Sequence, residues 1–117
     1  MIAIVLIALV ALLHIYFLVL EMFLWTKPAG RKVFNTTPEF AEASKTLAAN
    51  QGLYNGFLAA GLVWGLMLDA AAGRPVLLFF LGCVVVAGLY GALTVNKRIF
   101  FVQALPALLA IGALLYA

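Results

Sequence analysis

The chain has 117 residues, 68% of them hydrophobic and only 9% charged, with seven Lys or Arg against four Asp or Glu and a net charge of +3. Soluble domains are about 45–50% apolar and about 25% charged. Too few polar side chains exist here to cover a water-soluble monomer, and a disordered chain, a nucleic-acid-binding module and a soluble catalytic domain are excluded with it. The length suits one domain of about four membrane spans, at roughly 20 residues each plus short links.

The first apolar run extends from about residue 2 to 25 and is interrupted only by His14 and Glu21. It lacks the basic start and the small-residue cleavage site of a signal peptide, so it reads as a retained span. A polar, turn-rich stretch follows, from Lys27 to Thr37. Thr36-Thr37-Pro38-Glu39 then has the pattern of a helix start: a Thr cap, Pro in the first turn and an acid near the positive end of the dipole. The second helix is expected over about 38–69, with Glu39, Glu42 and Lys45 projecting into water or the interface. Asp69 to Pro75 breaks it, and the third span runs over about 76–95. Asn96-Lys97-Arg98 makes a tight turn into a fourth span over about 99–117. The fold class expected is all-α, an integral membrane up-down four-helix bundle in one domain.

Four alternating spans place the first and third connections on one side of the membrane. That side carries Lys27, Arg31, Lys32, Lys97 and Arg98, with Lys45 just inside the second helix, whereas the other carries only Arg74. The positive-inside rule makes the basic side cytoplasmic and puts both termini outside. Cys83 is the sole cysteine, so no intrachain disulfide forms, and a small buried hydrophobe is a sufficient role for it.

Helical spacing in the second helix puts Gly52, Gly56, Ala59 and Val63 on one ridge, with Asn50, Tyr54, Gly61 and Gly65 on the opposite side and Gln51 and Asn55 adjacent. Leu53, Phe57, Trp64 and Met67 fill the arc suited to lipid. Glycine ridges allow close helix approach, and amides in hydrocarbon need partners inside the bundle. This helix should therefore be central. Gly52-x-x-x-Gly56 and Gly61-x-x-x-Gly65 serve either packing within the chain or homodimerisation. In the first helix His14, Phe17, Glu21 and Trp25 form one stripe. Ionisable groups inside a membrane default to a functional hypothesis, and the alternative for Glu21 is an ion pair or an inter-helix hydrogen bond. For His14 the alternative is a neutral imidazole bonded to a neighbouring helix.

Glu21, Asn50, Gln51, Asn55, Tyr90, Asn96 and Gln103 all fall in the cytoplasmic halves of their spans. A four-helix bundle can gather such groups into a pocket open to the cytoplasm or inner leaflet, and ordinary inter-helix hydrogen bonds are the alternative. The candidate ligand-binding residues are Glu21, Asn50, Gln51, Tyr54, Asn55 and His14. With one His, no clustered Cys and no paired carboxylates in the membrane, no metal site is expected, and no cofactor is implied.

Glu21-Met22-Phe23-Leu24-Trp25-Thr26, Gly30-Arg31-Lys32-Val33-Phe34, Thr37-Pro38-Glu39-Phe40 and above all Ala49-Asn50-Gln51-Gly52-Leu53-Tyr54-Asn55-Gly56-Phe57-Leu58-Ala59 resemble the short bacterial four-span proteins called domain of unknown function 1304. The resemblance covers nearly the whole chain. It implies a four-span protein of the bacterial inner membrane and no particular activity. A fainter resemblance is to the membrane-associated eicosanoid and glutathione metabolism family, whose second helix carries an Arg, Asn, Glu and Tyr motif for glutathione. On that pattern Asn50 matches the Asn and Tyr54 the Tyr. Leu53 stands where the Glu should be and Thr46 where an Arg should be, so most of the charge needed to hold glutathione is missing. Small multidrug transporters also have four spans, but their carboxylate lies at mid-membrane, and Glu21 does not.

Three functions remain open at this level. The first is a module binding a small amphipathic or lipid-like ligand in a cytoplasm-facing polar pocket. The second is a membrane enzyme of thiol or glutathione type, with Tyr54 or Tyr90 donating to a developing anion. The third is an accessory subunit of a membrane complex. The expected partners are the lipid bilayer, a small amphipathic ligand and further copies in a dimer or trimer, with no nucleic acid.

Overall fold

A computed structural model describes residues 1–116, and everything in it is helix or short turn, with no strand among those residues. In chain order the elements are α1 (Ile2–Met22), α2 (Pro28–Phe34), α3 (Pro38–Met67), α4 (Ala70–Thr94), a π-helical turn (Phe100–Ala104) and α5 (Leu105–Leu115).

The helix ends follow local chemistry. Helix α1 stops at Met22, three residues short of the expected end, where the Val19 carbonyl accepts from both Phe23 N and Leu24 N. The stretch expected as an irregular connection contains α2 instead. Pro28 occupies its first turn, where a missing N–H costs nothing. Asn35 closes it in the left-handed region at φ 54°, a conformation Asn tolerates better than most residues. Gly30 is required at its place, because a Cβ there would collide with the Leu24 carbonyl. Thr37 caps α3 as expected, accepting from Phe40 N at 3.1 Å, with Glu39 in the first turn.

Helix α4 begins six residues before the expected start. Asp69 accepts from Ala72 N at 2.8 Å, and this cap outweighs Pro75, which lies close enough to the N-terminus to be carried inside the helix. The π-helical turn precedes Pro106, which stands in the first turn of α5. Proline has no N–H to give, and its ring clashes with the carbonyl four residues back in a regular α-helix. Widening the preceding turn, with Leu105 N bonded to Phe100 O, accommodates it.

The chain forms two compact units: Leu13–Phe57, and Met1–Leu12 together with Leu58 onward. The second has a continuous apolar core of Ile7, Val10, Ala11, Leu62, Leu77, Leu81, Val84, Ala107 and Ala110. Small residues bring its helices together. A Cβ on Gly61 would enter the Phe80 ring, one on Gly65 would come within 2.6 Å of Leu77 Cδ2, and one on Gly88 within 2.7 Å of Ala104 N. Arg74 Nη2 donates to the Leu115 carbonyl at 3.4 Å, meeting the negative end of α5. In the unit Leu13–Phe57, Leu20, Ala41, Ala48 and His14 are buried, and Gly52 and Gly56 lie against Leu18, Glu21 and Met22 of α1. Each glycine pair of α3 is thus occupied by packing within the chain.

Two helices, α1 and α4, are long and apolar enough to cross a membrane, and the segment Phe100–Leu115 is a shorter apolar helix. Helix α3 has 30 residues but is not among them. Asn50, Gln51 and Asn55 in its middle, with Glu39, Glu42 and Lys45 before them, make it too polar.

Candidate functional site

The polar chemistry gathers where α1 runs out beside α3, inside the unit Leu13–Phe57. Gly52 sets the distance between the two helices there. A Cβ on it would stand 2.7 Å from Met22 Cγ, 3.1 Å from Glu21 Cβ and 3.2 Å from the Leu18 carbonyl. This approach puts Asn55, one turn on from Gly52, against Glu21, and Asn55 Nδ2 donates to Glu21 Oε1 at 2.5 Å. Asn55 is buried, with 5% of its surface exposed, whereas Glu21 is half-buried. A carboxylate at the end of an apolar helix thereby has a fixed donor on one oxygen and solvent access on its outer side.

Just beyond Met22 the chain turns, and Trp25 closes the edge of the site. Its Nε1 donates to Ser44 Oγ at 3.0 Å, Ser44 Oγ in turn donates to the Phe40 carbonyl at 2.7 Å, and its ring lies on Phe34 with centroids 4.9 Å apart. A cleft of about 330 Å³ lies between these elements. Its polar wall is Glu21, Thr26, Lys45 and Thr46, and its apolar wall is Met22, Phe23, Trp25 and Ala49. Lys45 Nζ is paired with Glu42 Oε1 at 2.7 Å on the exposed side. The cleft therefore offers an acceptor, a cation, two hydroxyls and an aromatic face within one small volume. That set suits a small ligand with a polar head and an apolar body.

Of the six residues expected to bind a ligand, Glu21 lines this cleft and Asn55 holds Glu21. His14 is fully buried two turns back along α1, edge-to-face with Phe17 at 5.5 Å. Asn50, Gln51 and Tyr54 are on exposed faces of α3, and Tyr54 packs edge-on against Phe57 at 5.8 Å. The stripe expected through His14, Phe17, Glu21 and Trp25 does not reach Trp25, because α1 has already ended. Tyr90 is 69% exposed on α4. Sequence reasoning missed Trp25–Ser44 and the cleft-lining pair Lys45 and Thr46. The available signal was Ser44 itself, a small polar residue on the same face of α3 as Ala41 and Ala48, both buried. Among the described residues no group of three or more His, Cys, Asp or Glu gathers to hold a metal ion.

These features define an all-helical chain with two strongly apolar helices and a small cleft of mixed polar and apolar lining. It belongs to the family described as "Protein of unknown function (DUF1304)", whose profile matches residues 8–115. It is 39% identical over 105 residues to the "Uncharacterized protein YpaA" of Lactococcus lactis subsp. lactis (strain IL1403), covering 88% of this chain and 87% of that one. No solved structure matches. The first resemblance drawn from the sequence is thus established, whereas the fainter one, to the glutathione metabolism family, gains no support.

Proposed function

We propose that this is a multi-pass protein of the bacterial inner membrane, with four alternating spans and both termini outside, that binds a small amphipathic or lipid-like ligand beside Glu21. The membrane reading is supported by where the apolar surface lies. Only 28% of the most apolar stretch of α1 and 22% of that of α4 is buried within the chain, whereas the core helix of a soluble protein would be mostly covered. Ile15, Val19, Phe57, Trp64, Phe79, Val86 and Leu93 are among the many large side chains left outside, a surface that water does not tolerate on a monomer. The orientation is supported by the basic residues Lys27, Arg31, Lys32, Lys45, Lys97 and Arg98 on one side against Arg74 on the other.

The observation that carries ligand binding is the Glu21–Asn55 pair at the wall of the cleft. An acidic residue in or near hydrocarbon is costly, and one that needed only a structural partner would be served by complete enclosure. Here one oxygen is held and the group still lines an open volume. Native mass spectrometry of the protein released from detergent is the test. The expected result is a retained small amphipathic molecule that is lost in Glu21→Gln and in the cleft-filling variant Ala49→Phe. An empty protein, or a molecule retained equally by both variants, sinks the reading.

A further inference from the structure

Phe23 to Thr37 carries three basic side chains, Lys27, Arg31 and Lys32, and no acidic one. The structure folds this stretch into a shaped surface. Gly30 is the buried residue of α2, under the Leu24 carbonyl, and Phe34 lies on Trp25, so one face of the short helix is pinned down. The other face is open: Lys27, Pro28, Ala29, Lys32 and Val33 are exposed. Apolar side chains stand among the cations, with Phe23 65%, Val33 52% and Phe40 57% exposed. Of the acids in this unit, Glu42 is paired with Lys45, and Glu21 accepts from Asn55 at the cleft. Glu39 at the start of α3 is the one acid of this unit left exposed without an ion pair among the described contacts.

We propose that α2 and its flanks are a docking surface for anionic phospholipid headgroups. The proposal rests on the membrane reading above but not on the cleft. Charge complementarity selects the occupant: three cations without an acid suit a phosphodiester surface, and the interleaved Phe23, Val33 and Phe40 suit the acyl boundary just beneath it. Arg31 is set apart from a simple surface charge. Its Nε is buried without a hydrogen-bond partner, as is the Thr36 hydroxyl oxygen, and Thr36 N bonds to the Arg31 carbonyl at 3.1 Å. The planar fork of a guanidinium also suits two-point recognition of a phosphate better than the point charge of a lysine does.

Trp25 is a built-in reporter, its ring packed at a tilt against Phe34 of α2. In a Trp64→Phe background it is the only tryptophan, and lipids brominated high on the acyl chain quench it according to their occupancy nearby. The protein is reconstituted in phosphatidylcholine vesicles with brominated phosphatidylglycerol or brominated phosphatidylcholine as the quencher. Both leaflets carry the same mixture, so orientation does not enter. Brominated phosphatidylglycerol is expected to quench at about fivefold lower mole fraction or better, taking roughly one cation's worth of attraction as the minimum. The preference is expected to approach parity in Lys27→Gln/Lys32→Gln and at high salt, which screens exposed charges, and to survive Lys97→Gln/Arg98→Gln. Equal quenching by the two lipids overturns the proposal. So does a preference unchanged in the α2 variant, or one abolished by inorganic phosphate, which would mark a site for a soluble anion. Flotation of the vesicles after alkaline carbonate treatment separates the two levels. Protein left behind removes the membrane reading and this inference with it, whereas protein that floats without lipid preference removes the inference alone.

Discussion

The two compact units are held together by different chemistry. Met1–Leu12 with Leu58 onward is an apolar assembly in which nine aliphatic side chains form the core and Gly61, Gly65 and Gly88 set the helix spacing. Leu13–Phe57 also uses glycines, at 30, 52 and 56, but it adds polar side-chain links between separate elements: Glu21 to Asn55 and Trp25 to Ser44. Packing between small residues depends on a close fit of shapes and calls for no particular polar partner. A hydrogen bond at a helix crossing requires one partner at one place. The difference marks Leu13–Phe57 as the unit with specified chemistry and the other as the unit with specified shape.

Three substitutions press on that contrast, each read as a shift in thermal unfolding of the protein in detergent. The largest effect is expected in the apolar unit from Gly88→Val. Its Cβ would meet the Ala104 backbone, with Ala104 N at 2.7 Å and Ala104 Cα at 2.9 Å, and backbone cannot rotate aside. A loss of about 3 kcal/mol, the upper end for overpacking, is expected. In the polar unit Asn55→Leu should cost about 2 kcal/mol by stripping the half-buried Glu21 of its donor, and the double variant Asn55→Leu/Glu21→Leu should recover part of the loss. No recovery would mean the pair acts through shape, as in the other unit. The smallest effect, under about 0.5 kcal/mol, is expected from Lys45→Gln, because its bond to Glu42 is an exposed i,i+3 pair. A larger loss would show that the cleft wall bears structural weight.

Much of this architecture was legible in the residues. Apolar runs and a Thr-Pro-Glu signature suffice for the long helices, since hydropathy and capping act locally. Prolines misled the reading in two places. Pro28 and Pro75 read as breaks, yet Pro28 stands in the first turn of its helix, where no N–H is needed, and Pro75, past the first turn, gives up one backbone bond that the Asp69 cap outweighs. Helix α2 and the early start of α4 follow from that. In the candidate site, Glu21 was evident as the lone acid within an apolar run, and Asn55 stood among the amides nominated with it. Periodicity does not reach past the end of a helix, so it could not bring Trp25 to Ser44 or open a cleft toward Lys45 and Thr46. Among the amides the helical period was the usable signal: Asn55 stands one turn on from Gly52 and is buried, whereas Asn50 and Gln51 point away from that crossing and are exposed.

The π-helical turn at Phe100–Ala104 has a bearing on how the last helix tolerates changes in length. A π turn holds one residue more than an α turn needs for the same advance. Ala104, the last residue of the turn, and Ala107 and Ala110 beyond it are all fully buried, stand at three-residue spacing and share one face. Dropping a residue from within the turn leaves the spacing of those alanines intact but restores the regular α turn with which the Pro106 ring clashes. Adding or dropping one between Ala104 and Ala110 rotates the rest of the helix by about 100° and turns alanine positions in the core over to bulkier neighbours. The C-terminal segment is therefore fixed in length on both sides of Pro106, by the proline's need for the wide turn and by the alanine spacing beyond it.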